Sequence, residues 1–206
     1  MDSLYIINYK DNLIYNILNP NTTLKNNVHF LDVIDLLGFK NPVFCYSSML
    51  NIAGNCRMCL LEVTKKIKPL VGCASFFEKT TTLNPISITT KTAQEIILEY
   101  ILLNHPKDCP VCDQGGECDL QNNTFAFGSD LSRFFLNKRA VKSIKFFILI
   151  DSFLNKCILC TRCVRSDQSY IRSFLLGVMG RGVHSQISYY KKHNFNNANN
   201  YSINIA

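Results

Sequence analysis

The chain has 206 residues, 47% of them hydrophobic and 18% charged, with ten cysteines and a formal net charge of +7. That apolar fraction excludes a disordered polypeptide, and the length allows one large domain or two to three small ones. The start MDSLYIINYK has neither the basic stretch and apolar core of a secretory signal nor the Arg- and Ser-rich character of a transit peptide, and the longest dense apolar run, 146–150, is too short to cross a bilayer. A secreted disulfide scaffold is therefore not expected. Clustered cysteines in a reducing compartment read as metal ligands. The heavy use of Asn (22) and Ile (20) hints at an AT-rich, organellar coding sequence.

In chain order, the β-rich runs 4–7 and 13–17, with turn residues at 10–12, predict a hairpin. Val28, Leu31, Ile34 and Leu37, spaced by three and followed by Gly38, predict a short amphipathic helix. Strand, strand, helix and then a cysteine-bearing loop suggest a β-grasp, ferredoxin-like unit over residues 1–85. Its cysteines, Cys45, Cys56, Cys59 and Cys73, have the spacing C-x10-C-x2-C-x13-C. Two thiolates two residues apart grip a centre from one tight turn, and two more complete four-coordination, as an all-cysteine [2Fe–2S] site requires. Gly54 lets the backbone approach. A structural zinc is the alternative, but a zinc ribbon usually has two C-x2-C knuckles and this stretch has one.

Residues 86–130 form a second module. Thr92 and Glu95 make a capping box, and Ala93, Ile96, Ile97, Tyr100, Ile101 and Leu103 give an amphipathic helix ending near Pro106. His105, Cys109, Cys112 and Cys118 follow as H-x3-C-x2-C-x5-C. Three cysteines leave a four-ligand site one short, which favours His105 as a ligand over an idle helix-end histidine. Gly115 and Gly116 are expected to keep the loop tight and leave amides free for cluster sulfur.

Residues 131–206 carry +10, from Arg133 to Lys192, against −3 for 1–130. Such asymmetry suits a nucleic-acid surface, a face toward an acidic partner, or counter-charge around an anionic metal centre; with no nucleic-acid-binding motif beside it, the last two are preferred. Phe134, Phe135, Phe146 and Phe147 read as core. Cys157, Cys160 and Cys163 form a C-x2-C-x2-C run that wraps three corners of a [4Fe–4S] cubane, whose fourth cysteine normally lies elsewhere. No cysteine follows Cys163. His184 or His193 could substitute, although both read as idle. Gly177, Gly180 and Gly182 lack the order of a phosphate-binding loop, and 194–200 is a polar tail.

The stretch Asn104 to Gln121, NHPKDCPVCDQGGECDLQ, closely resembles a segment of the large iron–sulfur subunit of respiratory complex I, NADH:ubiquinone oxidoreductase. The earlier FCY…AGNCRMCL with Cys73, the later Ser132-Arg133-Phe134 and Lys138 to Val141, and Cys157 to Arg165 resemble it in the same order. Only the N-terminal iron–sulfur region of that subunit is matched, and Ser47 stands where the family tends to have histidine. The resemblance implies an α+β chain with a [2Fe–2S] cluster on Cys45, Cys56, Cys59 and Cys73. It also implies a [4Fe–4S] cluster on His105, Cys109, Cys112 and Cys118, and another on Cys157, Cys160 and Cys163. For the last, the fourth ligand comes from a separate continuing polypeptide, or the cluster has three cysteines, or the site is empty. The separate polypeptide is preferred because the family's large molybdopterin-oxidoreductase-like region is also missing.

The implied function is an electron relay without a complete active site of its own. Electrons arrive from a flavin-bearing, NADH-oxidising subunit and leave toward quinone. Other peripheral-arm subunits are the expected partners; no nucleic acid is expected, and membrane attachment is only indirect. The expected location is the matrix side of the mitochondrial inner membrane, or the bacterial cytoplasm beside its membrane. The iron–sulfur subunit of an NAD-reducing hydrogenase diaphorase, or of a formate dehydrogenase, is the alternative. A zinc-stabilised nucleic-acid-binding protein is the remote one.

Overall fold

The computed structural model describes residues 4–8, 13–17, 29–36, 38–64, 66–76, 82–147 and 150–189, with 4–8, 13–17, 144–147 and 150–151 described by backbone alone. The expected hairpin is present: β1 (Leu4–Asn8) pairs antiparallel with β2 (Leu13–Ile17), Leu4 opposite Ile17. The predicted helix is α1 (Phe30–Leu36), and Gly38 follows at φ 80°, the left-handed conformation that glycine adopts at least cost. The turn at 10–12, Val28, Leu37, His193 and the tail 194–200 lie outside the described residues.

Strands β3 (Leu60–Val63), β4 (Leu70–Val71) and β5 (Thr82–Asn84) complete a five-stranded sheet in the order β2-β1-β5-β3-β4. The β1–β5 pair is parallel, with Tyr5 opposite Thr82, and the other pairs are antiparallel. First and last strands adjacent and parallel, with a helix in the crossover, is β-grasp topology. Burial alternates along β3 so that Leu61 and Val63 face inward, and α1 lays Phe30, Val33 and Ile34 on them and on Leu83. Each such side chain contributes about 1.5–3 kcal/mol when fully buried.

Helix α2 (Ile88–Asn104) starts earlier than the Thr92 capping box predicts. Ser87 is its N-cap, accepting the Thr90 N–H at 3.0 Å. The buried Thr90 hydroxyl donates to the Asn84 carbonyl and accepts the Glu62 N–H, both at 3.0 Å. A cap tied to the sheet therefore outcompetes a local S/T-x-x-E signal. Of the expected apolar face, Ile97 and Ile101 pack half-buried against the core and Tyr100 is exposed, while the fully buried positions are Thr90, Gln94 and Leu98. Gln94 is tolerated inside because its amide donates to Asn41 Oδ1 at 3.0 Å. The helix ends before Pro106, as expected.

Helix α3 (Asp119–Phe127) follows the second cysteine loop. One core joins all three cysteine-bearing stretches: Phe44 and Met58 pack with Leu98 and Leu120, and Cys56, Cys118 and Ile158 lie against them. Residues 128–143 then run without regular structure. Phe135 does not enter a core but is 97% exposed, and Phe134 packs at 5.6 Å on the ring of the exposed Tyr100. The side chains of Phe146 and Phe147 lie outside what is described.

The chain closes with a two-stranded pair, β6 (Ile144–Phe147) and β7 (Ile150–Ser152), the short helix α4 (Arg162–Ser166), and a second pair, β8 (Leu176–Met179) and β9 (Gln186–Tyr189). Gly180 and Gly182 fall in the β8–β9 connection at positive φ, and a Cβ on Gly180 would run into the His184 carbonyl. Buried Asp167 anchors this end, accepting the Leu175 and Leu176 N–H groups at 2.8 and 3.0 Å and the Ser173 hydroxyl. Among the described residues, no helix is long and apolar enough to cross a membrane.

Candidate metal centres

All ten cysteines are free thiols. The loop between α1 and β3 carries Cys45, Cys56 and Cys59, and the turn after β4 brings Cys73 to them. Cys45, Cys59 and Cys73 are buried and Cys56 half-buried. Backbone N–H groups already point at sulfur: Cys45 and Met58 donate to Cys56 Sγ at 3.4 and 3.5 Å, and Cys73 donates to Cys59 Sγ at 3.5 Å. Gly54 and Arg57 both turn the loop with left-handed backbone, at φ 61° and 59°. Gly72 permits the approach of the Cys73 turn, because a Cβ there would meet the Cys59 carbonyl and Leu61 Cδ1 at 3.0 Å.

The four sulfurs crowd one another. Hydrogen bonds from the Cys56 and Cys73 side chains pull the Cys45 thiol down to about 2, and one from Cys73 pulls Cys59 down to about 7. Cys56 and Cys73 are pushed up by the same contacts and by burial. Four thiols so placed cannot all ionise unless positive charge is added among them, which is what iron supplies.

The second group surrounds a cavity of about 440 Å³ lined by His105, Cys109, Cys112, Cys118 and Lys156. Each ligand candidate comes from a different local device. His105 is the C-cap of α2, Cys109 opens a 3₁₀ turn (Cys109–Val111), Cys112 closes it, and Cys118 is the N-cap of α3. His105 Nδ1 is buried and has no hydrogen-bond partner. Burial first, then the charges of Lys138 and Lys156, lowers the His105 pKa, keeping the imidazole in the neutral form that ligates metal. A buried ring nitrogen left unpaired is costly, and a metal would satisfy it.

The Lys138 ammonium fixes this histidine's backbone, donating to the carbonyls of Leu102, Leu103 and His105 at 2.9, 3.2 and 2.7 Å. The glycine amides are not free for sulfur as expected: Gly115 donates to the Cys112 carbonyl at 2.9 Å and Gly116 to Gln121 Oε1 at 3.1 Å. They brace the loop instead. A larger cavity of about 670 Å³ lies between α2 and 128–138, but neither cysteine nor histidine lines it.

In the third group, Cys157 follows a 3₁₀ turn (Leu154–Lys156), and Cys163 enters α4. Leu159 and Thr161, on either side of Cys160, both take left-handed backbone at φ 57° and 60°. For non-glycine residues this costs on the order of 1–2 kcal/mol each. Leu159 N–H donates to Cys157 Sγ at 3.4 Å. The Cys157 and Cys163 thiols are pushed up, chiefly by loss of water and then by the neighbouring cysteines of the run. His184 lies exposed in the turn Gly182–His184.

Among the described residues, no three His, Cys, Asp or Glu side chains are arranged to hold one metal ion. A zinc site draws its ligands onto a single point, at about 2.3 Å per sulfur. A [4Fe–4S] cluster would instead offer a separate iron to each ligand and a [2Fe–2S] cluster one iron to each pair of thiolates, so the ligands of a cluster converge on more than one point. The donor set, the crowded thiols and the orphaned imidazole all fit clusters.

Sequence reasoning offers counter-charge around a metal centre only for the basic stretch as a whole, not for single cations at single loops. Lys138, Lys156, Arg162 and Arg165 all reach toward cysteine loops. For Lys156, Arg162 and Arg165, nearness to Cys157–Cys163 in the chain is the available signal.

Residues 94–133 match the family profile described as the NADH-ubiquinone oxidoreductase-G iron-sulfur binding region, and 148–206 match the ferredoxin-like domain of NADH-quinone oxidoreductase subunit 3. The chain is 44% identical over 160 residues to the mitochondrial NADH dehydrogenase [ubiquinone] iron-sulfur protein 1 of Solanum tuberosum, covering 78% of this chain and 22% of that protein. It is 42% identical over 153 residues to an NADH-quinone oxidoreductase subunit of Rickettsia prowazekii, covering 74% of this chain and 23% of the relative. The chain thus spans less than a quarter of the length of these two relatives. It shares its fold, at a TM-score of 0.77 and 21% identity, with a chain of an NAD+-reducing [NiFe]-hydrogenase crystallised in the H2-reduced state, over 93% of this chain and 76% of that one.

Proposed function

Since the chain belongs to the family of the large iron–sulfur subunit of NADH–quinone oxidoreductases, we propose that it is an electron relay. In this reading Cys45, Cys56, Cys59 and Cys73 hold a [2Fe–2S] cluster, His105, Cys109, Cys112 and Cys118 a [4Fe–4S] cluster, and Cys157, Cys160 and Cys163 three corners of another. Electrons enter from a flavin-bearing, NADH-oxidising partner and leave toward quinone within a larger assembly, at the matrix face of the mitochondrial inner membrane or in a bacterial cytoplasm.

The observation that carries the reading is the buried, unpartnered Nδ1 of His105 in a residue that lines one cavity with Cys109, Cys112 and Cys118. When bound, the clusters supply one-electron redox chemistry. The protein's own residues position them and set their environment. The thiolates share out negative charge, the neutral imidazole makes its centre less anionic, and N–H groups donate to sulfur. No proton or group transfer is asked of this chain.

Iron and acid-labile sulfide per chain after anaerobic reconstitution test the reading. Full occupancy gives about ten irons, and an unsupported third site about six. Either value with matching sulfide supports the relay. Zinc without sulfide overturns it.

A further inference from the structure

Arg165 lies in α4, two residues past Cys163, and is 9% exposed. Its guanidinium reaches two cysteine loops at once. One Nη donates to the Asn51 carbonyl at 2.6 Å, and the other donates to the carbonyls of Cys45 and, at 3.2 Å, Cys160. Nε donates to the Thr161 hydroxyl at 3.3 Å.

Every one of these acceptors is neutral. A guanidinium cannot shed its charge in a protein, and carbonyl dipoles offset only part of the cost of taking it out of water. Anionic charge is therefore called for on both sides of Arg165. The thiolate groups at Cys45 and Cys160 are where it would develop. The same two loops are clamped further: Arg162 donates to the Tyr46 carbonyl at 2.7 Å, and Asn55 donates to the Leu159 carbonyl at 3.1 Å.

We propose that Arg165 is the shared counter-charge and positioning residue of the first and third centres, holding their loops together and raising the reduction potential of both. The proposal rests on the cluster reading above. A fixed cation beside two anionic centres favours the more negative, reduced form of each.

The test is Arg165→Gln and Arg165→Lys in the chain isolated within its native assembly, with iron, sulfide and an EPR-monitored redox titration. Arg165→Gln is expected to shift both potentials negative by about tenfold in the reduction equilibrium, about 59 mV for one electron. Arg165→Lys should shift both by less, and the His105 centre should stay in place as the internal reference. Unmoved potentials, a shift in only one of the two centres, or an equal shift in all three overturns the proposal. If Arg165→Gln does not retain sulfide, the charge-removing Arg165→Met is read by the same criteria. A wild-type chain without labile sulfide overturns the cluster reading itself, a failure distinct from the others.

Discussion

The ammonium of Lys156 lies 3.5 Å from the sulfur of Cys112, with the ring of Phe153 at 5.6 Å from the same nitrogen. Lys156 immediately precedes the third cysteine group, yet its charge serves the second. A cation donating to a ligand sulfur stabilises the reduced centre, and for a half-buried group this is on the order of 1 kcal/mol. Lys156→Met should therefore lower the potential of the His105 centre and leave that of the Cys45 centre in place, while Lys156→Arg restores most of the shift. Redox titration of both signals checks this.

The unsatisfied Nδ1 of His105 makes a sharper demand. His105→Cys should retain a four-iron centre with a more negative potential, because a thiolate adds the charge that imidazole lacks. His105→Ala should lose the centre or leave it labile. Identical spectra and potentials in both variants would remove the histidine from the ligand set.

Gly115 and Gly116 are adjacent but differ in what a side chain would do. A Cβ on Gly115 would meet the Cys109 carbonyl at 2.8 Å and the Cys112 carbonyl at 3.1 Å, whereas Gly116 opens onto free space at φ 87°. Gly115→Ala should displace the ligand loop at a cost of about 1–3 kcal/mol and lower iron occupancy of that centre. Gly116→Ala should cost about 1–2 kcal/mol of backbone strain with the centre kept. Iron content and thermal denaturation separate the two.

The segment 131–138 is fastened to α2 by Arg133, whose backbone N–H reaches Glu99 Oε1 at 2.6 Å and whose guanidinium reaches Oε2 at 2.8 and 2.5 Å. These bonds, side chain first and backbone second, hold the Glu99 carboxyl below the usual glutamate value. On acidification the unfolded chain takes up this proton first. The contribution is therefore complete above the unfolded glutamate pKa, about 4.3, and is lost as the pH falls through the lower folded value. The protection of the 131–138 amides against hydrogen exchange, relative to their intrinsic rates at each pH, should be unchanged between pH 7 and 5 and fall below about pH 4.3. Glu99→Gln should show the reduced protection already at pH 7.

Much of the fold is legible in local pattern. The hairpin, α1 and the end of α2 before Pro106 follow from alternation, spacing of three and a missing N–H, all properties of neighbours in the chain. The start of α2 is not, because Ser87 works together with Thr90, whose hydroxyl is held by Asn84 and Glu62 across a sheet contact. Phe135 misleads for a similar reason. Hydrophobicity says that a ring seeks cover, but only the path of 128–143 decides whether cover is there.

The sequence by itself determined which sulfurs and which imidazole are grouped as candidate ligands, since they stand in three clusters with two to thirteen residues between successive members, and Gly115 marks a tight place. Only the tertiary structure decided which cations stand beside them. Arg165 meets the Cys45 carbonyl across 120 residues and Lys156 meets Cys112 across 44. A run of like charges carries no mark of its partners. Coulomb interaction depends on separation in space and on the water excluded between the groups, and both are fixed only when the shared core of Phe44, Met58, Leu98 and Leu120 brings the loops together.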